Sequence, residues 1–131
     1  MSEPRRSEQV TLDRYGSRVD LDDARGLALR LPATHEEPHF DLTSFRVGTK
    51  IFATAPADGD HLRIFVDEHE IHACVAEDPE VFGELWWGKR LSGLKVMLAE
   101  ADPQRVAELL EESWRRKAPK KVIDAFDADA G

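Results

Sequence analysis

The chain has 131 residues, 41% of them hydrophobic and 34% charged, with a net charge of −8 and a single cysteine, Cys74. That length suits one domain burying about two-thirds of its unfolded surface. One cysteine excludes an internal disulfide and fits a reducing cytoplasm, no apolar run approaches the ~20 residues of a membrane span, and the acidic balance argues against general affinity for nucleic acid or anionic membrane.

Residues 1–19 lack hydrophobic periodicity and carry Arg5, Arg6, Arg14 and Arg18 among polar neighbours, which predicts a loose tail. Met1 to Val10 is polar, with no secretory stretch. A single domain is expected over 20–126. Asp20 can cap a helix whose apolar stripe is Leu21, Ala24, Leu27, Ala28 and Leu31, with Pro32 ending it. The stretch from Ala33 to Thr43 reads as a loop. Phe45 and Val47, then Ile51 to Thr54, read as a hairpin about Gly48 and Thr49. Leu62 to Val66 is a third strand, and Asp67 to Glu77 a helix with Ile71, Cys74 and Val75 inward. Asp78-Pro79 predicts a capped short helix to Leu85. Its likeness to the segment from Asp102 to Leu109 reads as two helices begun by the same capping physics rather than as a duplication. Leu94, Val96 and Leu98 alternate as a fourth strand. Asp102-Pro103 opens a long helix with Val106, Leu109, Leu110 and Trp114 inward and with Glu111–Arg115 and Glu112–Arg116 as outer pairs. Pro119 stops it, and residues 127–131 are expected to fray.

Few constellations suggest chemistry. His35, Glu36 and His39 match the zinc-hydrolase pattern H-E-x-x-H, but that chemistry needs both histidines on one helical face, and Pro38 opposes a helix. His69 and His72 lack a third ligand nearby, so no metal or other cofactor is expected. Cys74 reads as a small core residue. With no nucleophile–base pair, phosphate loop or Gly-x-Ser-x-Gly elbow, an enzyme is disfavoured.

Charge is unevenly spread. Nine acids and one arginine lie between Ala55 and Trp87, whereas Lys89, Arg90 and Lys95 follow with no acid before Glu100. Arg115, Arg116, Lys117, Lys120 and Lys121 form a second basic run. Cations at a helix C-terminus are accounted for by its dipole. Lys120 and Lys121, beyond the stop, are not. Lys89, Arg90, Lys95, Lys120 and Lys121 are therefore the candidate phosphate contacts. Of Trp86 and Trp87, one is expected in the core and the other exposed, able to stack on a base.

In their order, Leu31-Pro32, Glu36 and the run of Phe45, Val47, Lys50 and Phe52 resemble the opening of the MmcQ/YjbR family. Asp78-Pro79, Gly88-Lys89-Arg90, Val96 to Leu98, and Glu112 to Arg115 with Ala118 to Lys121 continue the likeness, which spans about residues 20 to 123. Leu91 to Leu94 depart from it, since relatives often place His-Trp after the Lys-Arg. The resemblance implies an α+β domain, CyaY-like, with an antiparallel sheet and helices packed mainly on one face. It also implies a non-catalytic, double-wing DNA-binding protein. The alternative left open is an adaptor that holds a protein or small-ligand partner on the uncovered sheet face.

Overall fold

The computed structural model describes residues 19–130. Helix α1 (Leu21–Leu29) leads into strands β1 (Thr34–His39), β2 (Leu42–Val47), β3 (Lys50–Pro56) and β4 (His61–Ile64). Helix α2 (Glu68–Glu77) precedes β5 (Phe82–Trp87) and β6 (Arg90–Met97). A single 3₁₀ turn, Leu98–Glu100, then leads to α3 (Pro103–Lys117) and α4 (Lys120–Ala130). The six strands form one antiparallel sheet in the order β1-β2-β3-β4-β6-β5.

Strand pairing puts one row of side chains on each sheet face. Phe45, Ala53, Ile64 and Leu94 are successive cross-strand partners, and so are Leu62, Val96 and Phe82. All seven are buried, and this is the face the helices cover. A bulge opposite Phe45 leaves Phe52 as an extra residue, so Phe52 and Ala53 both enter the core. Trp114 is fully buried; its indole N–H donates to Pro32 O at 3.0 Å, and the neighbouring Ser113 hydroxyl donates to Phe52 O at 2.7 Å.

Four expectations need correction. The stretch taken as a loop is strand β1, an edge strand, where Pro38 removes no interior ladder bond. The helix foreseen after Asp78-Pro79 is a turn followed by β5: Asp78 is the C-cap of α2, its carbonyl accepting from Val81 and Phe82 N–H, so the capping likeness to Asp102-Pro103 has no structural counterpart. The foreseen C-terminal fraying gives way to α4, which Phe126 anchors edge-on to Trp114 at 5.2 Å. The Glu112–Arg116 pair is replaced by a bond from Arg116 to Phe65 O at 2.9 Å. The expected loose tail falls outside the described residues up to position 18; Val19 is buried and donates to Leu98 O.

Candidate functional site

Topology sorts the charges. Strands β2 and β5 are separated by four antiparallel steps, so they run the same way, and the turns that follow them leave from the same end of the sheet. Both turns have two residues with Gly at the first central position: Gly48-Thr49 and Gly88-Lys89, with φ of +62° and +61°. Such a turn needs positive φ there, which only glycine adopts without strain. The hairpin tips stand three strand spacings apart, roughly 14 Å. We call this the hairpin end.

The hairpin end carries exposed Lys50, Lys89 and Arg90. It also receives the C-terminus of α3, because Arg116 bonds to Phe65 O just past β4. Lys117 ends that helix, and Lys120 and Lys121 open α4 within four residues of it, with no acid in the first turn of α4. A helix N-terminus adds its own positive potential. Asp67 and Glu68, at the start of α2, share this end. The opposite end holds Asp58, Asp60, Asp78, Glu80, Glu100 and Asp102 in its turns, and Asp20 at the start of α1, which Val19 ties to Leu98.

Pairing differs as well. Arg25 is held by Asp22 and, at 2.7 Å, by Glu36; Arg105 lies 2.8 Å from Glu70 and 3.4 Å from Glu108. Arg115 bonds both Glu111 and Asp127, which raises its already high pKa, and Lys120 pairs with Asp124 at 2.7 Å. Among the described residues, no carboxylate lies within 4.0 Å of Lys50, Lys89, Arg90, Arg116, Lys117 or Lys121.

The helix-free face adds three more cations. Ser44, Thr54, Arg63, Lys95 and Gly83 are successive partners across five strands, with Arg46 one pair along from Ser44 on the same face. Arg46 donates to Ser44 Oγ at 3.0 Å, and Arg63 to His61 Nε2 at 3.2 Å. Accepting there leaves the His61 proton on Nδ1, 2.6 Å from Asp60, whose pKa this bond lowers. Gly93 leaves little room for a side chain: a Cβ would meet the Phe65 ring at 3.0 Å and Ile64 O at 3.1 Å, so Phe65 lies directly on the sheet.

Neither Trp86 nor Trp87 enters the core; they are 52% and 80% exposed. Both line a groove on the helix-free face, just past a bulge between Leu85 and Trp86. Trp86 donates to Glu84 at 3.0 Å, while Trp87 pairs with Arg90 on the helix-free face. Trp87 stands between two depressions. One, of about 400 Å³, lies between the β5–β6 hairpin and the α3 C-terminus and is lined by Phe65, Arg90, Arg116 and Lys117, with Asp67 and Glu68. The other, of about 390 Å³, runs over the helix-free face past Phe65, Leu85, Ile51 and Arg63.

Of the five candidate phosphate contacts, Lys89 and Arg90 stand together at the hairpin end. Lys95 lies mid-sheet beside Arg63, and Lys120 and Lys121 lie on α4 with no bond to the hairpin. Sequence reasoning missed Arg46 and Arg63, although alternation with Phe45, Val47, Leu62 and Ile64 puts both on the outer face. It also set Arg116 and Lys117 aside as dipole partners. Burial pushes the Cys74 thiol up to about 11, which keeps it protonated. His35 and His39 lie on an extended strand, roughly 13 Å apart, and not one helical turn apart.

The layered sheet with helices on one face and a charged, uncovered face on the other defines the class: a single α+β domain. The sequence model of the YjbR family matches residues 29–116, and the chain belongs to that family. It is 29% identical over 128 residues to Mb2600 of Mycobacterium bovis and to Rv2570 of Mycobacterium tuberculosis, both described as uncharacterized, covering 84% of this chain and 97% of each relative. The crystal structure of Deinococcus radiodurans protein DR2400, a DUF419 domain, superposes with a TM-score of 0.63 at 20% identity, covering 75% of this chain and 77% of that one. The fold is thus the one the resemblance implied. No helix among the described residues is long and apolar enough to cross a membrane.

Proposed function

We propose that this chain is a non-catalytic cytoplasmic domain that binds DNA weakly and without sequence preference through its hairpin end. One observation supports the reading: Lys50, Lys89, Arg90, Arg116, Lys117 and Lys121 at that end have no carboxylate within 4.0 Å among the described residues, whereas Arg25, Arg105 and Arg115 are each held by two. Unpaired cations on projecting turns are what phosphate contact requires. Asp20, Asp58, Asp60, Asp78, Glu80, Glu100 and Asp102 lie at the far end, beyond a screening length of about 10 Å, while Asp67 and Glu68 remain at the hairpin end. The two glycine-turned hairpins fit the double-wing description. The 390 Å³ groove favours the alternative, an adaptor for a protein or a small ligand.

The test is a titration of labelled duplex, and of its separated strand, against the full chain at about 50 and 200 mM salt. With about four phosphate contacts, affinity should fall by roughly two decades between those conditions. Reversing Lys89 and Arg90 to Glu should flatten the salt slope while leaving the melting temperature unchanged. Reversing Lys120 and Lys121 should do so less, because Lys120 already has Asp124. No binding of either nucleic acid at tens of micromolar protein would sink the reading and favour the adaptor.

A further inference from the structure

We infer that the nucleic acid held at the hairpin end is a single strand, with a base stacked on Trp87 and its phosphates along Arg90, Arg116 and Lys117. The inference rests on the reading that this end binds nucleic acid, and adds which form it takes.

The observations are of three kinds. Trp87 is 80% exposed on the face where Arg90 is its cross-strand partner. An indole left in water beside a guanidinium is a stacking platform, and stacking needs a base whose flat face is free. In a duplex, every base face is covered by its neighbours. The surroundings of Trp87 also divide by chemistry. The depression on one side is the charged one, lined by Arg90, Arg116 and Lys117 with Asp67 and Glu68; the groove on the other is mainly apolar, lined by Ile51, Leu85 and Trp86 with Arg63, and Phe65 borders both. A single strand is divided in the same way, with anionic phosphates on one edge and apolar bases on the other. Finally, shape opposes a duplex on this surface. Six strands span five spacings, roughly 24 Å, twice the ~12 Å width of the major groove. One hairpin is narrow enough to enter that groove. Lys89 and Arg90 would then carry the binding, and the Arg116–Lys117 cleft would take no part.

Three probes separate these cases: a labelled oligothymidylate of about twelve nucleotides, a duplex of equal length, and an abasic strand of equal length that keeps the phosphates. The strand should bind the full chain about ten-fold tighter than either of the others. Trp87→Ala should lose about ten-fold for the strand and nothing for the abasic strand, while Trp87→Phe retains most of the affinity. Because Trp87 is exposed, its melting temperature serves as the folding control. Arg116→Glu with Lys117→Glu should flatten the salt slope for the strand. A duplex that binds as tightly as the strand, with Trp87→Ala indifferent to both, overturns the single-strand inference and leaves the nucleic-acid reading standing. Failure of all three probes to bind overturns both.

Discussion

The capping acids at one end of the sheet have structural work to do; Lys50, Lys89 and Lys117 at the other have no bond of that kind among the described residues. Asp20 accepts from Asp23 N–H at 2.8 Å and completes a reciprocal capping box on α1. Asp102 accepts from Gln104 N–H at 3.2 Å, with Pro103 at the first helical position. Asp58 accepts from Asp60 N–H in the turn before β4. These carboxylates satisfy backbone donors that a helix or turn leaves open. Lys50, Lys89 and Lys117 satisfy nothing comparable among the described residues. Carboxylates that cap the fold and cations without a carboxylate partner thus lie at opposite ends of the strands, and a net charge of −8 is compatible with a cationic surface.

Both ends stand on one core, so the largest effect should come from damage to it. Trp114→Ala removes a fully buried indole that packs on Phe126 and bonds Pro32 O, and should cost about 3–5 kcal/mol. Denaturant unfolding measures it. A loss under about 1 kcal/mol would mean that α3 and α4 are not seated on the sheet as described, and the position of Arg116 and Lys117 at the hairpin end would fall with them.

A smaller effect sharpens the contrast between the ends. Asp20→Ala and Asp102→Ala should each cost about 1 kcal/mol, as lost N-caps do. Lys89→Ala should stay within about 0.5 kcal/mol, as surface changes away from caps and cores do. If Lys89→Ala destabilises as much as Asp102→Ala, the hairpin cation has a structural role, and its freedom for phosphate is lost.

Legibility in the sequence followed the strength of local signals. The β2–β3 hairpin was readable because Gly48-Thr49 sits between two apolar alternations. The β5–β6 hairpin uses the same turn chemistry at Gly88-Lys89 and was missed. Asp78-Pro79 imitates a helix start, and β5 carries two exposed tryptophans instead of an alternating core pattern. Strand β1 was hidden for a related reason: an edge strand holding His35, Glu37 and Pro38 has little apolar periodicity to show. Lys89 and Arg90 stand out in the sequence as a basic pair with no acid nearby. Their meeting with Arg116 and Lys117 was not legible there, because it depends on the order of the strands and on one bond to Phe65 O. The placement of Arg63 beside Lys95 likewise comes from β4 pairing with β6 across an intervening helix and strand.

The smallest effect concerns that same bond. Arg116 turns away from Glu112 to reach Phe65 O, and among the described residues nothing pairs with the Glu112 carboxylate. Burial, then the nearby charges of Glu70 and Asp67, raise its pKa. A carboxyl whose pKa is higher folded than unfolded binds its proton more tightly in the native state. The contribution of Glu112 to stability is therefore greatest below the unfolded value, about 4.3, and falls as pH rises through the folded value. At pH 7 the ionised Glu112 is a liability, and Glu112→Gln, which cannot ionise, should melt higher than the parent chain. The advantage should vanish once the parent's carboxyl is protonated, below about pH 4. Thermal melts of both proteins across that range decide it. A Gln variant less stable at pH 7 would mean that Glu112 pairs with Arg116 in solution, and Arg116 would then be as fully engaged as Arg25 and Arg105 and unavailable to a phosphate.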